Sequence, residues 1–279
     1  MRAKLNKVWN LSKWEKIVPF LYFLVLVASA TPPTAKKVYK KTISTIVIDA
    51  GHGGHDPGCI GSGVKEKEIT LNIALALGAK IQDEMPDVKI VYTRSTDKFV
   101  DLWERAAIAN RNKADIFISL HCNSTKNTKI AGTETFTMGL HKAEENLEVS
   151  ERENEVVLLE DDYIQRYDGF DPNSPESHIY FSLFQNSYME QSIQLAAKIE
   201  NELSNSRKIS SRGVKQAGFV VLWKTKMPSI LIETGFLSNK KERDYLSSSK
   251  GVEELATSIA KAITTYKKSY ETSSSLKIN

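Results

Sequence analysis

The fingerprints of nucleotide chemistry are missing from this sequence. It has no G-x-G-x-x-G, and no Gly-Lys-Ser/Thr stands behind a glycine-rich turn. Neither a dinucleotide site nor a phosphate-binding loop therefore has its usual signature. Cysteine is scarce: Cys59 and Cys122 are the two in 279 residues. They form no C-x-x-C and are not spaced as a zinc knuckle. Both fall in loops expected to meet, so a disulfide and two free packed thiols are both open readings, decided by a Cα separation the sequence does not contain. The net charge of +4 comes without a basic run interleaved with aromatics, which argues against nucleic acid. A mild positive balance suits an anionic polymer. No internal repeat is present. The 41% hydrophobic content is enough for one good core, hence one domain of ordinary α/β size.

The stretch that organises the chain is Ile46-Val-Ile-Asp-Ala-Gly-His-Gly-Gly-His-Asp-Pro-Gly58. Ile46, Val47 and Ile48 are β-branched and uninterrupted, as in a strand buried on both faces. Gly51, Gly53, Gly54 and Gly58 open backbone angles that other residues avoid. A histidine where a buried parallel strand ends is placed where α/β folds carry their sites. His52 reads either as a first metal ligand or as a residue that only hydrogen-bonds its own turn.

The rest of the chain favours the metal. Glu66 opens a helical pattern in Val64-Lys-Glu-Lys-Glu-Ile-Thr-Leu71. His121 ends a second buried run, Asp115-Ile-Phe-Ile-Ser-Leu-His121, and Glu233 ends a third, Ser229-Ile-Leu-Ile-Glu233. In a parallel sheet such ends share one edge and their side chains can converge. Two histidines and a carboxylate with an open fourth position form a catalytic zinc arrangement. A further carboxylate serves as general base.

These segments resemble the zinc-dependent N-acetylmuramoyl-L-alanine amidases, which cleave peptidoglycan. The resemblance runs from about Ile43 to Tyr266. Asp49-Ala-Gly-His-Gly-Gly, Lys65-Glu-Lys, Ser119-Leu-His-Cys-Asn and Glu233-Thr-Gly-Phe-Leu-Ser-Asn follow the family pattern in order. It implies one zinc per chain, held by His52, Glu66 and His121, with Glu233 as the catalytic glutamate. Glu68 competes with Glu66 on residue type alone, but points to another side of the helix. The implied reaction is hydrolysis of the amide joining the lactyl group of N-acetylmuramic acid to L-alanine of the stem peptide, in wall remodelling or daughter-cell separation. The resemblance also sets the stretch from Gly218 to Leu222 along the substrate groove. Asn123 is a further substrate-binding candidate, although Asn123 and Ser124 read first as side chains that hold the loop after His121. Two other readings are another zinc amidohydrolase, such as a peptidase or deacetylase, and a non-catalytic wall-binding protein on an amidase fold. The second would have lost a ligand or the base, and all four are present.

Taken in order, residues 1–30 read as a signal peptide. Arg2, Lys4, Lys7, Lys13 and Lys16 lead an apolar stretch from Ile17 to Val27, and Ala28-Ser-Ala30 offers the small residues of a cleavage site. The alternative is an uncleaved anchor, for which the apolar stretch is short, since a span needs about 20 residues. Export to the periplasm of a Gram-negative cell is expected, with a linker over 31–42 and the catalytic domain over 43–268. That domain is expected to be α/β, with a mostly parallel sheet flanked by helices on both faces. Strands are expected at Ile43–Asp49, Val88–Thr93, Ile116–His121, Val214–Leu222 and Ile230–Glu233, and helices at 66–84, from Leu102 to near Asn112, from Met189, and from Val252 to Tyr266. Gly132–Met138 alternates and predicts a strand with one exposed face. Arg94 and Arg105 read as partners in structural ion pairs ahead of the alternative, contact with an anionic substrate, and Asp97 reads as a helix cap or loop fixer. Residues 269–279 read as a polar, disordered tail.

Residues of about 139–185 break this rhythm as an acidic helical insertion carrying Glu144, Glu145, Glu148, Glu151, Glu153, Glu155 and Glu160. The bland reading is a solvated helix and a decorated loop, with His141 and His178 as loop residues. The sharper one comes from the resemblance: in some amidases of Gram-negative bacteria a helix inserted here covers the zinc site, and one of its glutamates occupies the metal's open position until an activator protein moves it. The sequence does not single out which glutamate would do so.

Overall fold

Ile46, Val47 and Ile48 lie in β1 (Thr45–Ala50), whose last five residues are buried. β5 (Ile116–Asn123) and β8 (Ser229–Phe236) are buried along their whole length. With β4 (Lys89–Tyr92), β6 (Thr133–Met138) and β7 (Ser211–Ala217) they form a six-stranded sheet in the order β4-β1-β5-β8-β6-β7. β4, β1, β5 and β8 are mutually parallel. β6 enters antiparallel to β8, and β7 runs parallel to β6. β2 (Ile60–Gly61) and β3 (Val64–Lys65) make a small separate hairpin. This computed structural model describes residues 42–141, 143–172, 174–182, 187–207 and 210–276. The proposed leader, and all of the linker but its last residue, lie outside them.

Helices cover both faces. On one face the sheet packs against α1 (Glu66–Glu84) through Ile73, Leu77 and Ile81. α6 (Met189–Arg207) and α9 (Ser249–Leu276) join it, the latter through Leu255, Ile259 and Ile263. The other face packs against α2 (Leu102–Arg111). The insertion follows β6. It consists of α3 (Glu144–Asn154), a 3-10 turn (Glu155–Leu159), α4 (Tyr163–Arg166) and α5 (Pro175–Ser182). Val149, Val156 and Val157 dock it on the α2 face of the sheet. Then come α6 (Met189–Arg207), α7 (Val220–Trp223) and α8 (Lys240–Leu246).

Three expectations are corrected here. β6 has no exposed face: all six residues are buried. Its polar side meets the buried carboxylate of Glu200 on α6, which accepts hydrogen bonds from Thr133 Oγ1 (2.9 Å) and Thr135 Oγ1 (2.6 Å). The strand expected over Val214–Leu222 ends at Ala217, and Val220–Trp223 turn into helix. Asn154 holds that change of direction, donating to the Gly218 carbonyl (2.7 Å) and accepting from the Val220 amide (2.9 Å). The tail expected from 269 is helical through Leu276. Glu271 pairs with Lys267 and accepts the Ile43 amide, while Tyr270 stacks on Tyr266, so the last turns are tied to the domain.

Candidate metal centre

His52, Glu66 and His121 arrive from three elements. His52 follows β1, and its backbone lies in the left-handed region at φ 61°. Such a conformation is uncommon for a residue with a Cβ, and in a buried turn it must be held by its surroundings. Glu66 starts α1, where the helix dipole favours a carboxylate. Both its oxygens are committed: Oε1 accepts the Cys122 amide (2.8 Å) and Oε2 the Cys59 amide (2.9 Å). Glu68 is exposed and takes no part. His121 stands on β5, on the sheet face that carries Phe117. Gly51 is required by close approach, since a Cβ there would sit 2.5 Å from the His121 ring.

A fourth group comes from the insertion. Glu153, in the last turn of α3, is 4% exposed and points its carboxylate into the same centre. One ligand atom from each of His52, Glu66, His121 and Glu153 lies within 4.8 Å of all the others. Glu153 Oε2 is 3.2 Å from His52 Nε2 and 2.9 Å from His121 Nδ1; Glu66 Oε1 is 3.1 Å and 3.2 Å from the same two atoms. These distances are short, yet His52 Nε2, His121 Nδ1 and Glu153 Oε2 form no hydrogen bond. Their lone pairs converge on a shared point instead of on one another.

That arrangement fits a metal ion. Ligands about 2.0–2.1 Å from a tetrahedral centre stand roughly 3.3 Å apart, close to the four separations found here. Two neutral imidazoles and two carboxylates sum to −2, matching a dication. The charges bear this out from the protein's side. Burial alone would lower the His121 pKa, but the carboxylates of Glu153 and Glu66 outweigh it and raise it to about 9. His52 is likewise raised against its burial, by the negative charge of Glu66, by its hydrogen bond to Asp56 and by the nearby carboxylate of Glu153. Without a cation the cluster draws protons onto its imidazoles, and a dication takes over that role.

A second layer fixes these ligands. Asp56 Oδ2 stands 2.7 Å from His52 Nδ1 and orients the ring. Arg105 donates to the Asp49 carboxylate (2.8 Å) and to the carbonyls of Ala50 and His52. Arg94 donates to the carbonyls of Ala50, Gly51 and Lys67. Both arginines are 1% exposed, so they hold the turn as structural groups. Asp97 fixes the same loop, accepting from the Gly54 amide and Lys67. Cys59 and Cys122 are free thiols, and Cys59 Sγ donates to the Cys122 carbonyl (3.2 Å).

Glu233 stands directly across from His121 in the β5–β8 register. It is fully buried, and its Oε2 has no partner. Burial, joined by the negative charge of Glu153, pushes its carboxyl well above the usual range, with Arg152 pulling the other way. Arg152 Nη2 lies 2.9 Å from Glu153 Oε1 and 3.4 Å from Glu233 Oε1, so one guanidinium of α3 spans both carboxylates. Asn123 is close by, donating to Glu134 (2.9 Å) and accepting the Ser124 amide. Gly218 and Leu222 are not gathered with these groups. They follow the end of β7, which is level with Met138, whereas Glu233 pairs with Glu134 at the other end of β6. Leu222 is wholly buried in the apolar cluster. His178 is likewise elsewhere, on α5 against the Pro172 carbonyl.

Sequence reasoning did not single out Glu153 or Asp56. Asn146, Val149, Ser150 and Glu153 are buried at helical spacing, but only one of them is apolar, so no hydrophobic stripe marks the face. For Asp56 the signal was a carboxylate four residues after a candidate ligand.

Comparison with known proteins gives the family. Residues 46–265 match the family model described as N-acetylmuramoyl-L-alanine amidase. AmiA of Escherichia coli (strain K12), an N-acetylmuramoyl-L-alanine amidase, is 33% identical over 237 residues, which is 84% of this chain and 79% of that protein. The crystal structure of an N-acetylmuramoyl-L-alanine amidase from Clostridium difficile 630 is 27% identical, with a TM-score of 0.61 over 81% of this chain and 97% of that one. The CwlD amidase of Clostridioides difficile, solved in complex with the GerS lipoprotein, is 26% identical with a TM-score of 0.59 over 80% of this chain and 98% of that one. A family match across most of the chain and a one-third-identical relative of similar length agree, and the chain belongs to the N-acetylmuramoyl-L-alanine amidase family.

Proposed function

We propose that this chain is a zinc-dependent amidase that cleaves the bond between N-acetylmuramic acid and the L-alanine of the stem peptide, and that its own insertion holds it shut. The observation that carries the reading is the convergence of His52, Glu66, His121 and Glu153 on one buried point beside Glu233. His52 Nε2, Glu66 Oε1 and His121 Nδ1 are the permanent ligands, and Glu153 is an exchangeable fourth. A bound dication supplies Lewis acidity, polarising the scissile carbonyl and lowering the pKa of water to about 7.

The chain's own groups do the rest. Asp56 keeps His52 in the tautomer that leaves Nε2 free to ligate. Glu233 takes a proton from the attacking water as the C–O bond forms, and passes it to the nitrogen as the C–N bond breaks. Its buried setting favours holding that proton between the two steps. Arg152 and Glu153 oppose both roles: Glu153 fills the position a substrate oxygen needs, and Arg152 pairs with the base. Release requires the end of α3 to withdraw, which suits an activator protein acting on residues 139–185. That one relative has been solved with a lipoprotein bound is compatible with such regulation. The basic, apolar and small-residue succession over 1–30 supports a cleaved leader and a periplasmic enzyme working on cell-wall peptidoglycan. No helix among the described residues is long and apolar enough to cross a membrane.

The test is elemental analysis of the purified protein together with stem-peptide release from purified peptidoglycan, with Glu233→Ala as control. One zinc per chain and a release that depends on Glu233 establish the assignment. A protein that binds no metal removes the basis for it.

A further inference from the structure

Beside Glu233, on the side of the sheet where β6 and β7 lie, a cavity of about 290 Å³ opens beneath α3. Its floor is built around Glu134, which pairs with Glu233 across the β6–β8 ladder and is 2% exposed. Glu134 Oε1 accepts from Arg212 Nε and from Lys215 Nζ (2.7 Å), and Oε2 accepts from Asn123 Nδ2 (2.9 Å). Two cations share one buried carboxylate, so the floor keeps a surplus positive charge. Arg212 also lies over the Phe236 ring, 5.6 Å from its centroid. Nε is committed to Glu134, and the terminal nitrogens of the fork are left for another acceptor. Glu145 of α3 faces them, with Oε2 3.6 Å from Nη2. Glu145 and Glu148 form the cavity's acidic roof.

We infer that Arg212 and Lys215, braced by Glu134, form a subsite for a free carboxylate of the substrate's peptide, and that Glu145 of α3 stands in for that carboxylate while the site is closed. The inference rests on the amidase reading. A guanidinium already oriented by a carboxylate and a ring loses little freedom on binding, and its planar fork matches a carboxylate. The chemistry also fixes which half of the substrate lies here. The carboxyl of N-acetylmuramic acid is consumed in the scissile amide, so free carboxylates belong to the peptide. The leaving peptide therefore runs over β6 and β7, and the closing helix lies on its path with matching charge.

The test uses two soluble N-acetylmuramoyl dipeptides, one ending in a free carboxylate and one with a carboxamide in its place, and the full chain carrying Glu153→Ala. The carboxylate compound is expected to be preferred about tenfold in kcat/KM, through KM. Arg212→Gln combined with Lys215→Gln should erase the preference. Arg212→Lys, which keeps a cation on Glu134 but lacks the fork, should keep only part of it. Equal KM values for the two compounds in the parent would overturn the subsite. So would a double variant that weakens both compounds equally, since that is the mark of a purely bracing role. If no variant hydrolyses either compound, the amidase reading fails, and the subsite is then judged on binding alone. For that, the free dipeptide L-alanyl-D-glutamate and its diamide are titrated while the Arg212 Nε–H resonance is followed. A saturable shift with the dipeptide alone supports the subsite, and no shift refutes it.

Discussion

Glu153 Oε2 lies 2.9 Å from His121 Nδ1, which joins the last turn of an inserted helix to the third strand of the sheet. The contact brings a fourth candidate ligand to a cluster whose other three come from the sheet edge and α1. If that ligand keeps the site closed, the open form is a minority and apparent activity is scaled down by its population. Glu153→Ala should therefore raise stem-peptide release by purified protein at least tenfold with no partner added. A rate no higher than that of the parent, with metal still bound, would show that α3 is no barrier.

Glu233 is not among the four converging ligands. Glu233→Gln should leave metal content unchanged while cutting hydrolysis about 10²–10⁴-fold, the usual worth of a positioned proton-transfer group. It also removes an ionisable group that sits buried beside Glu153. The melting temperature should accordingly hold or rise, as thermal denaturation can check. A variant that loses metal along with activity would make Glu233 a ligand and not a base.

The parts of the fold and site that the sequence made legible share one feature: their signal is local. Ile46–Ile48, Ile116–Ile118 and Ile230–Ile232 are uninterrupted apolar runs, and the polar residues that follow them converge because parallel strands share an edge. The illegible parts depend on remote partners. The threonines of β6 looked solvent-facing because nothing nearby announces that Glu200, more than sixty residues on, covers them. Thr272 and Ser273 looked like a tail because hydroxyl residues compete with helix. Here they bond back to the carbonyls of Lys268 and Ser269, and Glu271 ties the helix end to Ile43. Glu153 was one glutamate among the seven of residues 141–162, distinguished by the side of the helix it occupies and by nothing in its neighbours.

Asp56 holds His52 Nδ1 and would act through it on a metal bound at Nε2. Partners in this position set ring orientation and ligand basicity, and removing them typically costs 10–100-fold in metal affinity. Asp56→Asn should weaken zinc by that factor in competition with a chromophoric chelator, while the far-ultraviolet circular dichroism stays that of the parent. Unchanged affinity would show that the turn alone orients His52.

Asp49 lies beneath the site, wholly buried, accepting from Thr93 (2.6 Å), Ser119 (2.6 Å) and Arg105 (2.8 Å). Burial by itself would raise its carboxyl, but the charge of Arg105 and the three hydrogen bonds outweigh it and hold the pKa below 3.8. A carboxyl depressed in the folded state adds stability above its unfolded value and loses it as pH falls through the folded value. The pair should thus contribute fully from pH 5 upward and fade below about pH 4. Asp49→Asn leaves Arg105 buried without its counter-charge, a change that costs about 3–5 kcal/mol. Denaturant unfolding should show that loss at pH 7 and a smaller difference between variant and parent at pH 3. A difference that is constant across this range would mean the carboxylate's charge contributes nothing, and that Asp49 serves only as a hydrogen-bond acceptor holding Arg105 under the metal turn.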